Sequence, residues 1–325
     1  MNAQIHFDAL VIDSHCDTVL KVWGSDGKYR LCDRHSEGHV DIPRLKSGGV
    51  GVQFFAVYIG AEYKPERAAK RTLQLLDVLY QELDENQDTL QLILHAADIA
   101  TARATNRIGM LLSIEGGEAL EGELSSLRMY HRLGIRAIGL TWNERNQIAE
   151  GVGDCRSGGG LTDFGVSVIK EMNRLGMIID VSHISAPGFF DVLDLSEHPI
   201  IASHSNAQAV CGHIRNLSDQ QIRALAARGG VMGINFAPEF LVDQGTASVE
   251  HVASHIDYIV QLLGNTKHIG LGGDFDGISR TPGELTDASG YPAITEALLR
   301  RGYNEQQLRD ILGLNHLRVI TNVMG

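Results

Sequence analysis

Short apolar runs rich in Val, Ile and Leu recur at residues 10–17, 50–59, 108–115, 137–143, 177–183, 199–205, 230–237 and 268–276, bounded by Gly, Asn or Asp. Helix-length segments separate most of them. Near-continuous apolar runs of this length suit strands covered on both faces, and their alternation with helices implies parallel strands joined by right-handed crossovers. Eight such runs predict an α/β fold, a closed (β/α)8 barrel of the TIM type. Between the second and third runs, Leu76, Leu79, Tyr80 and Leu83 follow i, i+3, i+4, i+7 spacing, one helical face turned to the sheet. Residues 90–94 fit either a helix end or an extra strand. The polar, glycine-bearing stretches 24–49 and 144–160 are expected as long loops over one barrel mouth. No linker, repeat or low-complexity tract divides the chain, so residues 1–325 are expected to form a single domain.

Composition narrows the class. In 325 residues the 43% hydrophobic and 21% charged content is that of a packed globular protein. A formal charge of -12 argues against nucleic acid, whose readers carry a basic patch or stripe. No apolar run reaches membrane-spanning length, and the N-terminal residues lack a basic stretch followed by an apolar one. Cys16, Cys32, Cys155 and Cys211 have no CxxC spacing and are too sparse for a disulfide framework. The cytoplasm is therefore the expected compartment, and small-molecule chemistry the expected activity.

The candidate chemistry lies where the apolar runs stop. They end in His15-Cys-Asp17, Ser113-Ile-Glu115, Asp180-Val-Ser-His183, Ser203-His204-Ser and Gly273-Asp274-Phe-Asp276. In (β/α)8 enzymes these ends surround a common mouth, so five runs finishing in ligand-type groups point to one site. His15 and Asp17, two apart on a strand, would share a face. They can hold one cation, His183 and His204 a second, and Glu115 can bridge the two. Such a pair shares a water, lowers its pKa and presents hydroxide as a nucleophile. Nitrogen and oxygen donors favour zinc, with manganese, cobalt or iron as alternatives. Asp274 or Asp276, placed on one face by the same alternation, would serve as proton acceptor. Asp13 shares the face of His15 but lies deeper, as a polar support, while Cys16 turns to the opposite face as an apolar filler.

With these residues in view, the chain resembles the renal (membrane) dipeptidase family of zinc metallopeptidases, within the amidohydrolase-like barrels. The resemblance spans nearly the whole sequence. It rests on Asp13-Ser-His-Cys-Asp-Thr18, His39-Val-Asp-Ile-Pro-Arg-Leu45, Ile114-Glu-Gly-Gly117, Asp180-Val-Ser-His183, Ser203-His-Ser-Asn206, Arg215-Asn-Leu-Ser-Asp219, Gly272-Gly-Asp-Phe-Asp-Gly277 and Gly313-Leu-Asn-His-Leu-Arg-Val319. It implies two zinc ions, one on His15, Asp17 and Glu115 and the other on Glu115, His183 and His204. It also implies Asp274 rather than Asp276 as proton shuttle, and Arg215 as receptor for the substrate's free carboxylate. The substrates it implies are dipeptides, often with a D-residue at the C-terminal position. The expected partner is thus a small dipeptide, with neither nucleic acid nor membrane, and a homodimer is the assembly to test.

One position departs from the family pattern. Animal members carry a histidine where this chain has Trp142, in Leu140-Thr-Trp-Asn143, and an indole cannot supply the same electrostatic contact to an oxyanion. Asn143 or the metals would have to do so, with Trp142 an aromatic wall of the pocket. Other hydrolase chemistries, on lactones, phosphoesters, N-acyl amino acids or nucleobases, form the alternative, and a non-catalytic metal-binding barrel a third. A lysine ending the fourth run would mark a carbamylated bridge, but Asn143 stands there. His-X-His would mark a mononuclear deaminase, but the chain has His15-Cys-Asp17.

Overall fold

The computed structural model describes residues 2–325. Nine strands form one parallel sheet: β1 (Val11–Cys16), β2 (Val50–Tyr58), β3 (Leu90–Leu92), β4 (Ile108–Glu115), β5 (Ile135–Gly139), β6 (Ile178–Asp180), β7 (Ile201–Ser205), β8 (Val231–Ile234) and β9 (Ile269–Leu271). Pairing runs from β2 through β1, β9, β8, β7, β6 and β5 to β4, and β2 pairs with β4, which closes eight strands into a barrel. β3 resolves the ambiguous stretch as an extra strand. It pairs with Ile108–Met110 of β4, ahead of the point at Leu112 where β5 takes over.

Val, Ile and Leu dominate these strands because both faces are buried. An inner cluster joins Ile12, Phe54, Leu111, Ile178, Ile201 and Val231 to the C-terminal helix Asn315–Met324, while a larger outer cluster packs strands against the surrounding helices. The helix Ala68–Glu85 lays Leu75, Leu76 and Leu79 on that outer layer, as its spacing predicts. Helix starts are set by side-chain caps: Thr162 accepts from the Gly165 N–H, Ser185 from Gly188, and Ser218 forms a capping box with Gln221.

Several predicted runs are longer than the strands they contain. β5 ends at Gly139, β6 at Asp180 and β9 at Leu271, so Trp142, Asn143, His183, Asp274 and Asp276 stand on loops beyond them. The residue closing β5 is therefore glycine, neither lysine nor Asn143. Stretch 24–49 is not all loop, since Asp41 caps a helix, Ile42–Ser47.

Strict alternation also fails at the two strands that carry histidines of the candidate centre. Between Asp13 and Cys16 on β1, three steps oppose two on β2. The same shift separates Ala202 from Ser205 on β7 against β8. One extra residue in each strand re-aims a side chain, the usual effect of a bulge beside a site. Ser14 and Ser203, two residues on from the inward-facing Ile12 and Ile201, stay on the axial side, where the Ser14 hydroxyl donates to the Ser203 carbonyl at 2.6 Å. His15 and His204 still reach the mouth. Asp13 does not share their direction, contrary to the alternation: it accepts from the Tyr291 hydroxyl and, at 2.8 Å, from the Gly273 N–H.

Candidate active site

The C-terminal mouth brings together side chains from five βα junctions, those after β1, β4, β6, β7 and β9. His15 Nε2 lies 3.3 Å from Asp17 Oδ2, 3.5 Å from Glu115 Oε2 and 3.9 Å from Asp274 Oδ1. Glu115 turns its other oxygen to His183 Nε2 at 3.0 Å and His204 Nε2 at 3.6 Å. Glu115 therefore lies between the two histidine groups. Asp17 arrives by a turn rather than by strand alternation, as the residue preceding the helix Thr18–Gly24.

The far sides of two imidazoles fix what the near sides offer. His183 Nδ1 meets Asn143 Oδ1 at 2.8 Å, and a carbonyl oxygen can only accept, so the proton sits on Nδ1. His204 Nδ1 meets Ser203 Oγ at 2.7 Å, and that hydroxyl donates to Asp180 Oδ2 at 2.5 Å. Both Nε2 atoms are then lone-pair donors, facing each other at 2.8 Å. His15 Nε2 and Asp17 Oδ1 are buried without a hydrogen-bond partner. Unpaired buried polar atoms of this kind cost about 1–3 kcal/mol each, and divalent cations satisfy them together. The nitrogen and oxygen donor set fits zinc or a similar ion.

The electrostatics agree with that fit. Burial pushes the Asp17 carboxyl up to about 8, aided by the neighbouring Glu115 charge. Burial likewise pushes Asp274 up to about 6. Burial would raise Glu115 too, but the positive charge that His15 takes up among these carboxylates holds it well below the usual carboxylate range. Burial, with the Arg215 charge, lowers His183 to about 3 and so keeps it neutral. Three carboxylates, Asp17, Glu115 and Asp274, crowd His15, and bound cations would favour their ionised forms.

Asp274 and Asp276, equivalent by sequence spacing, have different surroundings. Both sit at positive φ, +59° and +67°, in a tight turn beyond β9. Asp274 Oδ2 accepts from Asn235 Nδ2 at 2.9 Å while Oδ1 faces His15. Asp276 is occupied elsewhere, accepting from Thr18 Oγ1 and the His39 N–H, each at 2.7 Å. It clamps the turn to the segment after β1. Gly277 completes the turn, since a Cβ there would land on the carboxylates of both Asp17 and Asp274.

A cavity of about 360 Å³ opens over these groups, lined by Asp17, Glu115, Asn143, His183, Arg215 and Asp274 among others. Arg215 is 4% exposed; its Nη2 donates to the His204 carbonyl at 3.2 Å, its Nε has no partner, and Phe240 lies against its plane. Burial lowers its pKa only to about 10, so it stays charged. Trp142 and Tyr58, with ring centroids 5.4 Å apart, form an aromatic wall beside His183. Asn143 is occupied on its carbonyl side by His183, which makes it first a support for that imidazole. Three groups carry site geometry that the sequence reading gave no role: Asp180, Ser203 and Asn235. The first two were visible as polar residues within the motifs. Asn235 offered the same signal, a polar side chain just past β8.

A closed parallel barrel holding a histidine and carboxylate cluster at its C-terminal mouth defines a hydrolase of the metal-dependent class. Comparison with known proteins narrows this. The sequence profile described as Membrane dipeptidase (Peptidase family M19) matches residues 2–324. Dipeptidase aclJ of Aspergillus oryzae is 37% identical over 297 residues, covering 88% of this chain and 70% of that protein. Two solved structures superpose with TM-scores of 0.91. One is the dipeptidase AC, a metallopeptidase of family M19, 29% identical over 98% of this chain and 99% of its own. The other is a metallopeptidase from Rhodobacter sphaeroides liganded with a phosphinate mimic of the dipeptide L-Ala-D-Ala, 28% identical over 97% of this chain and 99% of its own. The chain belongs to the membrane dipeptidase family, M19, and is a metallodipeptidase. Among the described residues no helix is long and apolar enough to cross a membrane.

Proposed function

We propose that this protein is a zinc-dependent dipeptidase that requires a free C-terminal carboxylate and accepts a D-residue at that position. The observation that carries the reading is Arg215: a buried guanidinium with an unpaired Nε, in the same cavity as Asp17, Glu115, His183 and Asp274. A planar fork of donors suits a carboxylate, and its fixed distance from the catalytic groups limits the substrate to two residues. The D-residue preference is supported by the L-Ala-D-Ala mimic held by the Rhodobacter sphaeroides relative.

His15, Asp17 and Glu115 would hold one zinc and Glu115, His183 and His204 the other. When bound, such a pair supplies an activated water at neutral pH and polarises a carbonyl oxygen. Asp274, raised toward neutrality and steadied by Asn235, takes a proton and returns it to the leaving amine. Arg215 fixes the carboxylate end, and the Tyr58 and Trp142 wall keeps one side of the cavity dry. The whole chain acts as one barrel domain in the cytoplasm. The test is a panel of L-Xaa-D-Xaa and L-Xaa-L-Xaa dipeptides, their C-terminal amides and tripeptides, with bound zinc measured. Turnover of free dipeptides alone, with about two zinc equivalents and loss on chelation, is the expected result. Equal turnover of the amides would overturn the role of Arg215.

A further inference from the structure

The supports behind His183 and His204 differ in kind. His183 leans on a neutral amide, Asn143. His204 leans on Ser203, and Ser203 on Asp180, whose remaining oxygen, Oδ1, accepts from the Ser182 and Ser203 N–H groups at 2.9 Å each. Asp180, Ser203 and His204 are all buried. The serine is also gripped through its backbone: Ser14 donates to its carbonyl, and a Cβ at Gly272 would strike that same oxygen. A hydroxyl held this firmly between a carboxylate and an imidazole has one direction in which to donate. The Ser203 hydroxyl donates to Asp180 Oδ2, so Ser203 Oγ accepts from His204 Nδ1. The direction of this chain of hydrogen bonds dictates which His204 nitrogen is free.

We propose that Asp180, acting through Ser203, is a positioning residue for the metal centre: it sets the His204 tautomer and thereby the affinity of the ion shared by His183, His204 and Glu115. The inference rests on the reading of these residues as zinc ligands given above. Asp180 touches neither substrate nor metal, and its influence travels through one hydroxyl. Supports of this kind typically alter metal affinity by about 10–100-fold.

The relay has a consequence that simple loss of packing does not. In Asp180→Asn the two backbone N–H groups hold the amide oxygen in place of Oδ1, which turns the amide nitrogen toward Ser203. That nitrogen donates, Ser203 must then donate onward to His204 Nδ1, and the imidazole proton is forced onto Nε2, the metal-facing atom. Ser203→Ala removes the hydroxyl and leaves Nδ1 unsupported without forcing the wrong tautomer. Once the hydroxyl is gone, changing Asp180 to Asn no longer reaches His204.

The experiment is zinc titration of the metal-free full-length protein against a competing chelator, for wild type, Ser203→Ala, Asp180→Asn, the double variant and Ser182→Ala. Ser182 belongs to the same polar layer, 3.3 Å from Ser203 Oγ, and its hydroxyl accepts from the His204 backbone N–H at 3.1 Å, but it is outside the path from Asp180 to the imidazole. The relay requires one of two zinc equivalents to weaken by about 10–100-fold in Ser203→Ala. It requires a greater loss in Asp180→Asn, and a double variant no worse than Asp180→Asn, so that the two changes are not additive. Ser182→Ala, which takes a main-chain hydrogen bond away from His204 but leaves its Nδ1 partner in place, should weaken zinc less than Ser203→Ala. Additive losses, equal weakening of both equivalents, or a Ser182→Ala loss matching that of Ser203→Ala would overturn the proposal. If Asp180→Asn fails to fold, the contrast between Ser203→Ala and Ser182→Ala decides alone. Failure of wild type itself to bind zinc would refute the underlying metal assignment, a different outcome from variants that bind as wild type does.

Discussion

Asp17 gives the most direct measure of how far the pocket depends on cations. In the metal-free protein its carboxyl is raised from 3.8 to about 8, first by burial and then by Glu115. A raised folded-state pKa means that between these limits the folded protein holds a proton the unfolded chain has released, so stability falls as pH rises. Asp17→Asn mimics the protonated form and removes this dependence, while the titration of the histidines away from the barrel mouth is common to both proteins. From pH 6 to 8 the linkage is worth at most about 1.4 kcal/mol per pH unit, or about 2 kcal/mol once half-titration at the upper end is allowed for. With an unfolding entropy of roughly 0.7 kcal/mol/K for a chain of this length, that is a change of about 3 °C in the Tm difference. The assay is thermal unfolding of both proteins after chelation. The variant should gain on wild type as pH rises, and zinc should reverse the order because the variant has lost a ligand. A Tm difference that stays constant from pH 6 to 8, or moves the other way, would refute the reasoning.

Three further outcomes are expected. Asp274→Asn should lower kcat by about 100- to 10,000-fold while bound zinc, measured by elemental analysis, is unchanged. Arg215→Lys keeps the charge but loses the planar fork, so kcat/KM for free dipeptides should fall by about 10–100-fold, mostly through KM, in steady-state assays. Gly277→Ala would press a methyl group on Asp17 and Asp274; circular dichroism should report an intact barrel and activity assays a nearly inactive enzyme.

What the chain alone determined was its architecture and the identity of its chemical groups. Runs of Val, Ile and Leu buried on both faces can be satisfied by a covered parallel sheet, so eight of them implied a barrel. Barrel geometry then collected His15, Glu115, His183 and His204 at one mouth, whatever the details of each loop. Period-two alternation could go no further, because it holds only while a strand is regular. Extra residues in β1 and β7 re-aimed His15 and His204 and left Asp13 on the other face, toward Tyr291. Asp274 and Asp276 were indistinguishable by spacing because both lie past the last residue of β9, in a positive-φ turn where alternation has no meaning. Only long-range contacts decided between them: Asn235 and His15 for the one, Thr18 and His39 for the other. The same holds for Ser203 and Asp180, whose importance depends on an imidazole tautomer. A hydrogen bond's direction is a property of the assembled network, and no local pattern of apolar and polar residues encodes it.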